Sequence, residues 1–505
     1  MSLLALLITL FGLRISLATP LTSLQKNIIY EPTASLPVAN ATKSFWINTP
    51  GANILANEGS SGPLTEDADV CIIGSGMTGV SAAYHLAKAL EGSETSSLHV
   101  KAVVLEAREF CSGATGRNGG HLTPYSFFNY REYERKHGTA EALKSLQLEN
   151  RTAMAMVSIT QEHNLADVVD LVAGGHLTLI SSEEEYKSLK AEYLAARRAG
   201  LNVGDVEWLS EEHVNSTYGA SYSAVKFPAF NFWPLKFVTQ LYLLAKSSSP
   251  HFSLALHTHT PVTSVTPLSS SRTWRVNTAR GPVKCSYVLH ATNGYASHLL
   301  PQFHGKPGII PTRGQIVAIR ADTAINDSWR ASWGGLDHYW FPRPVNGSDS
   351  DVKLETESQN HPLILLGGGR QIGGPSFEQF ETDDSVLNIA LGEELRAFLP
   401  ETFPRMFKSG KDSEMEWTGI MGFTMMTDPF VGPVVEDLQS GENTGLYDGQ
   451  YIAAGYSGHG MPRAFSCAEA VASMILAAIL DKPWSKPEWL PTRYLTTSRS
   501  ERNQD

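Results

Sequence analysis

Cysteine is scarce: Cys71, Cys111, Cys285 and Cys467 are the four in a chain of 505 residues. They are too few and too scattered for a disulfide scaffold, and no C-x-x-C pair occurs, so neither a stapled fold nor a structural metal site is expected. Cys71 lies in an apolar run and reads as a buried small hydrophobe. Basic charge is also short, with 40 Lys and Arg against 51 Asp and Glu, a net charge of −11 and no polybasic run. That balance argues against a nucleic-acid binder and against an anionic membrane as partner. Gly and Pro number 42 and 27 but follow no period, which leaves out fibrous and low-complexity proteins. With 42% hydrophobic and 18% charged residues, the chain can bury a substantial core and is not disordered over most of its length. Long apolar runs are few. Ala468 to Leu480 carries Glu469 and Ser473 and ends at Asp481, and reads as a core helix rather than a membrane span.

The first residues, Met1 to Leu13, form a short apolar stretch that ends in Ser16-Leu17-Ala18-Thr19. This reads as a secretory signal cleaved after Ala18, residues 1–18. A signal anchor is the alternative, because no Lys or Arg precedes the stretch and Arg14 interrupts it. Sequons at Asn40, Asn150, Asn215, Asn326 and Asn346 agree with a glycoprotein that is secreted or held in an endomembrane lumen. Residues 19–67 are rich in Ser, Thr, Pro, Asn and Gly and are expected to form an extended arm on the domain surface.

From Asp69 the pattern is regular. Asp69-Val70-Cys71-Ile72-Ile73 reads as a buried strand, Thr78 to Leu90 as a helix, and Val100 to Glu106 as a second strand after a polar loop at Glu91 to Ser97. Helices are expected at Ala140 to Asn164, Glu183 to Arg198, Pro234 to Lys246 and Ala464 to Leu480. Strands are expected at Gly175 to Ile180, in a meander over Val262 to Val288, and at Gln315 to Ile319, Leu363 to Leu366 and Trp417 to Met426.

Between the first strand and helix stands Gly74-Ser75-Gly76-Met77-Thr78-Gly79, with Glu106 ending the next strand. Gly74 permits a tight turn, Gly76 lets the backbone approach a pyrophosphate, and Gly79 lets the helix pack closely on the strand. The helix N-terminus offers free N–H groups to phosphates, and Glu106 would accept from an adenosine ribose. Strand, helix and acid in this order make a dinucleotide site. Downstream, the small-residue loop Ala107 to His121 suits a long cofactor running across backbone N–H groups, and Gly455 to Met461 precedes the final helix with more glycines. Ser75, Met77, Thr78, Ala107, Thr115, Arg117, Asn118, Gly119, Gly120, Val265, Thr292, Gly458, His459, Gly460 and Met461 complete the cofactor-binding candidates.

These segments resemble the FAD-dependent oxidoreductases of the D-amino-acid oxidase and glycine oxidase superfamily over roughly Asp69 to Leu480. The marks are the glycine motif with Glu106, Gly113-Ala114-Thr115-Gly116-Arg117-Asn118-Gly119-Gly120, Ala291-Thr292-Asn293-Gly294 and Gly458-His459-Gly460-Met461. Gly116 to Gly120 and Trp417-x-Gly419 are most similar to the γ-glutamylputrescine oxidase-like amine oxidases. The resemblance implies an α/β fold, a Rossmann-type FAD-binding domain of the glutathione-reductase-like kind interleaved with an antiparallel-sheet substrate domain. It places residues 68–125, 235–300 and 431–482 in the first, 126–234 and 301–430 in the second, and 483–505 in a tail. It implies oxidation of a C–N bond by hydride transfer to the flavin, with O₂ reoxidising it to give hydrogen peroxide.

Two departures shape the expectation. The superfamily's amino-acid oxidases carry an Arg for the substrate carboxylate where this chain has Trp417 to Thr424 without one, which shifts the balance from simple α-amino acids toward amines or larger nitrogen-containing metabolites. Leu363 to Arg370 lacks the Lys that assists oxygen in sarcosine-oxidase-like relatives, leaving a non-oxygen acceptor open. No Cys stands in the strand where some relatives attach flavin, so non-covalent FAD is expected.

Four residues are candidates for contact with substrate or flavin. His121 is a base or charge-steering group, or else a loop histidine bonded to backbone. Tyr339, in the aromatic run Tyr339 to Arg343, lines the substrate cavity or packs as core. Arg370 holds an anionic substrate group or lies on the surface, and His459 stabilises charge at the flavin edge. Arg117 binds cofactor or orients its loop; Met421, Met425 and Met426 are expected to pack the roof. Competing functions are an amine or amino-acid oxidase, a tailoring flavin oxidoreductase of a secondary pathway or dehydrogenase with another acceptor, and a non-catalytic flavin-binding protein.

Overall fold

In the computed structural model, the strand Asp67–Ile73 is buried on both faces along most of its length, as a near-continuous apolar run requires in a parallel sheet. The structure describes residues 33–498 apart from 92–97, 270–272, 326, 344–360, 375 and 442–443. The expected signal segment, the loop to Ser97 and the sequons at Asn326 and Asn346 therefore lie wholly or largely outside the described residues.

Asp67–Ile73 pairs in parallel with Val100–Leu105 on one side and Gly281–His290 on the other. Phe252–His257 and Gln450–Ala454 extend the parallel sheet outward, and antiparallel Phe430–Pro433 closes one edge. Val70 and Ile72 face the helices Met77–Ala89, Pro234–Ser247 and Met461–Ile479. Cys71 and Ile73 face the meander built from Val262–Pro267, Trp274–Thr278 and the start of Gly281–His290. Met461–Ile479 is long and apolar enough to cross a membrane, yet most of it is buried within the protein. All four cysteines are free and buried.

The second sheet has eight strands, in the order Met415–Phe423, Ile310–Arg320, Leu363–Gly368, His338–Pro342, Ser332–Gly335, His176–Ile180, Ser223–Phe227 and Glu207–Leu209. Every pairing is antiparallel except Ser332–Gly335 with His176–Ile180. One face buries Trp333, Trp340 and Trp329 against the helix Ile389–Thr402 and Phe403. The chain passes back and forth between the two sheets, so loops from both meet along their common boundary.

Three expectations change. The described part of the arm lies only partly on the surface: Ser44 and Trp46 are fully buried, and Ser44 Oγ donates to the carbonyl of Gly116. Trp46 Nε1 donates to the carbonyl of Asn118, and the Trp46 carbonyl accepts from Trp233 Nε1 at 3.0 Å. A large indole buried between two elements outweighs the turn-rich composition that suggested a solvated arm. The helix expected from Ala140 begins at Tyr130 and bends at Gly138, whose φ of 76° suits glycine. Met425 lies exposed in the turn after Met415–Phe423, so of the roof methionines it does not pack.

His290, at the end of its strand, is fully buried with Nε2 2.6 Å from Gln450 Oε1, and burial holds it down to about 4. The unfolded chain would protonate this ring near pH 6.5, so the folded state loses stability as pH falls from 6.5 toward 4 and loses none above that window. In urea titrations across that range, His290→Gln is expected to flatten the loss by up to about 1.4 kcal/mol per pH unit; an unchanged slope contradicts the assignment.

Candidate functional site

Gly74 holds φ +108°, and a Cβ there would meet the Ala291 carbonyl oxygen at 2.7 Å. At Gly79 a Cβ would sit 2.0 Å from the Gly74 carbonyl oxygen, so helix and strand approach as closely as the motif requires. The helix Met77–Ala89 opens after Gly76 with no side-chain cap, although the Met77 N–H donates to Thr115 Oγ1 at 3.0 Å. Glu106 accepts from the Ser75 N–H and Oγ–H and from the Arg108 N–H at 2.7–3.0 Å. A carboxylate keeps further acceptor sites beyond three, which leaves Glu106 capacity for a ligand hydroxyl.

Above this motif lies a cavity of about 200 Å³. Of the expected cofactor residues, Gly74, Gly76, Met77, Thr78, Glu106, Ala107, Thr115, Asn118, Thr292, Gly458, Gly460 and Met461 line it. So do Ser35, Leu36 and Pro37 of the arm, which sequence reasoning had kept away from the site. Two buried polar atoms on its wall, Thr292 Oγ1 and His298 Nε2, have no partner among the described residues. Others of the expected set stand elsewhere. Ser75 and Gly79 support the motif from behind, and a Cβ at Gly120 would meet Trp46 at 2.9 Å. Val265 sits in the meander opposite Val276; Val262, three residues earlier, lines the cavity in its place.

A second cavity, of about 300 Å³, lies under the second sheet. Ala114, Asn118, Met421, Gly458 and Met461 line both cavities and mark where they meet. Around the second stand Tyr125, Phe128, Phe227 and Tyr339 with His121, His176 and His459. Tyr339 is held close over glycines: a Cβ at Gly119 or Gly367 would strike its ring or hydroxyl at 2.7 and 2.5 Å. His121 places Nδ1 3.1 Å from the Gly119 carbonyl and Nε2 3.2 Å from that of Trp340, and burial lowers it to about 4. His176 bonds Ser332 Oγ at 2.8 Å, and burial pushes it well below the usual range. Both rings are neutral at pH 7.

Arg117 faces the second cavity, but its guanidinium serves the loop. Nε donates to the Ser112 carbonyl at 2.9 Å and Nη1 to those of Thr42 and Thr418 at 2.6 and 3.0 Å. Arg370 does not line either cavity. It follows Gly368 and Gly369, which both hold positive φ, and its guanidinium lies 4.6 Å from the Phe423 ring centre with no hydrogen-bond or ion-pair partner among the described residues. Burial lowers its pKa, and Tyr339 and Tyr125 are the groups that act on it electrostatically.

Glu149 could not be picked out from the sequence. It lies within the helix Tyr130–Glu162 and is buried, accepting from the Tyr125 N–H at 2.7 Å and Arg463 Nε at 2.8 Å. Its Oε2 also lies 3.1 Å from His459 Nε2. Asp384, likewise unforeseen, takes two bonds from Arg108 at 2.8 and 3.0 Å. Charged residues at the buried positions of a helix or loop carry no local pattern, and only the fold brings their partners to them.

Comparison with known proteins agrees with this geometry. Residues 69–474 match the family model DAO, described as FAD dependent oxidoreductase. γ-Glutamylputrescine oxidoreductase of Escherichia coli (strain K12) is 24% identical over 399 residues, covering 78% of this chain and 80% of that protein. Glycine oxidase from Geobacillus kaustophilus is 19% identical and superposes with a TM-score of 0.62, over 86% of this chain and 99% of the other. L-proline dehydrogenase from P. horikoshii has the same identity and TM-score, over 86% and 98%. The glycine motif, its acid, both sheets and the cavities between them fall largely within the matched span, and the chain belongs to the DAO family of FAD dependent oxidoreductases.

Proposed function

We propose that the enzyme oxidises a C–N bond of an amine or amino-acid-like small molecule, using non-covalently held FAD and O₂ as acceptor to give hydrogen peroxide. The observation that carries this reading is the junction at Ala114, Asn118, Met421, Gly458 and Met461, where a dinucleotide cleft opens into an aromatic chamber. FAD fits the cleft: Thr292 Oγ1 and His298 Nε2 have no partner among the described residues and are left for a ligand to satisfy, and nothing lies within 4 Å of where a Cβ would stand at Gly113 on the wall. When bound, FAD supplies the two-electron acceptor for the carbon next to nitrogen. Glu106 would hold its ribose, and the uncapped first turn of Met77–Ala89 its phosphates. No cysteine lines either cavity, which supports non-covalent attachment.

The chamber's own residues bind and orient substrate. Tyr125, Phe128, Phe227 and Tyr339 offer apolar faces, and neutral His121 and His176 add no fixed charge. Met421 fills the strand where a carboxylate-binding arginine would stand, so an α-carboxylate has no charged partner there. Arg370 lies outside both linings with no hydrogen-bond or ion-pair partner among the described residues, and would meet an anionic group that extends beyond the chamber. Neither cavity is lined by lysine, and that observation supports the second reading, a dehydrogenase that passes electrons to an acceptor other than O₂. The leader and sequons support secretion or residence in an endomembrane lumen; Asn40 and Asn150 are exposed, whereas the Asn215 amide is engaged by Ser221 and Arg405.

Purified protein is expected to be yellow and to release FAD on acid precipitation, with Gly76→Val folded but depleted of flavin. An amine should bleach the flavin without air, and air should restore it with peroxide. Bleaching that air does not reverse selects the dehydrogenase, and a colourless protein that takes up no FAD contradicts both. For amines bearing a remote anion, Arg370→Ala is expected to raise KM by about tenfold, the worth of a charge-assisted hydrogen bond, while neutral amines keep theirs. An equal change for both classes removes Arg370 from substrate recognition.

A further inference from the structure

Three histidines line the second cavity, and one of them is held by a carboxylate. Both nitrogens of His121 face backbone carbonyls. His176 uses Nδ1 on Ser332 Oγ, its Nε2 has no hydrogen-bond partner among the described residues, and no carboxylate holds its ring. His459 differs. Its Nε2 meets Glu149 Oε2 at 3.1 Å, and its Nδ1 has no partner among the described residues.

Glu149 is built to hold that ring. Its side chain is 1% exposed, whereas that of His459 is 18% exposed. Oε1 accepts from Arg463 Nε at 2.8 Å, and Arg463 is anchored in turn by Nη1 to the Thr427 carbonyl at 2.8 Å. Oε2 accepts from the Tyr125 N–H at 2.7 Å. The Tyr125 ring stacks on His459 with centroids 3.8 Å apart and planes 8° from parallel. One edge of the imidazole is thus set by the carboxylate and one face by the tyrosine. The charged and titratable groups around it are Glu149 and Arg463 behind, Tyr125 on its face, and the neutral rings of His121 and His176. Burial pushes the Glu149 carboxyl up, but His459 and Arg463 outweigh it and keep it below the ordinary carboxylate range. An ionised carboxylate only accepts, so the nitrogen beside it carries the proton.

We infer that Glu149 is a positioning residue that keeps His459 protonated on Nε2 and so reserves Nδ1 as the acceptor for a proton of the substrate's ammonium group. The inference rests on the amine-oxidising reading above. In this step the ammonium N–H bond breaks, its electron pair stays on the amine nitrogen, and an Nδ1–H bond forms. The imidazolium so made lies beside Glu149, as histidine does beside a buried carboxylate in other proton-transfer sites. The product is a neutral amine, the form whose lone pair can assist loss of hydride from the neighbouring carbon. Arg463 keeps the proton from passing on to the carboxylate.

The test uses the holoprotein labelled with ¹⁵N-histidine, the His459 signals being assigned by their loss in His459→Asn. At pH 8 the parent is expected to show the Nε2–H tautomer. In Glu149→Gln the preference for that tautomer should fall about tenfold, and Glu149→Asp should recover part of it. The rising limb of anaerobic flavin bleaching against pH should move down with it. An Nδ1–H tautomer in the parent overturns the inference, and that measurement needs no variant to fold. A bleaching limb that Glu149→Gln leaves in place also overturns it while sparing the function. Failure of every amine to bleach the parent's flavin sinks the amine reading instead, whatever the tautomer.

Discussion

One buried carboxylate, Asp384, ties the two halves of the site together. Its side chain is 1% exposed and both its oxygens accept from Arg108 Nη1, with Arg117 Nε 3.5 Å away. Those two arginines come from the glycine-rich loop that follows Glu106, whereas Asp384 belongs to the segment leading into the helix Ile389–Thr402. Arg117 also gathers the carbonyls of Ser112, Thr42 and Thr418, and Arg108 those of Val38 and Ser112. The arm, the cofactor loop and the strand Met415–Phe423 are thus bound at one point. Removing one partner from such a cluster would leave a buried charge uncompensated, at a cost of about 3–5 kcal/mol. Where the two cavities meet depends on this clamp, because Ala114 and Asn118 sit on the loop it holds and Met421 on the strand.

Division of labour follows from that boundary. The parallel sheet contributes backbone: positive-φ glycine, close helix approach and an uncapped helix end, all suited to phosphates and indifferent to substrate. The antiparallel sheet contributes side chains: aromatic faces, a neutral histidine and a methionine. Variation in the second surface can change the substrate without disturbing the first, as function grafted on a shared fold requires.

The glycine motif, the first two strands, the meander and the final helix could be read from the sequence because each is local, a run of one period bounded by glycine or polar turns. Longer-range features could not. The helix Ile389–Thr402 contains Gly392 and Pro400, both helix breakers by composition, and it is stabilised by packing on the tryptophans of the second sheet. Trp46 made its segment look solvated because its partners, Trp233 and Asn118, are far away in sequence. Val262 and Val265 differ only in where the meander's register leaves them. Most telling are Glu149, Arg463 and Asp384, charged side chains whose burial makes sense only once their partners are in place. Of the site, the cofactor half was legible and the network behind His459 was not.

On the proposed function, the flavin ring of the loaded protein would lie at the shared wall of the two cavities. A crystal structure of the FAD-loaded protein tests it most directly. The account predicts the isoalloxazine bounded by Ala114, Asn118, Met421, Gly458 and Met461, one face open to the chamber of His121, Tyr339 and His459. A ring seated elsewhere, or a chamber walled off from it, would contradict the account.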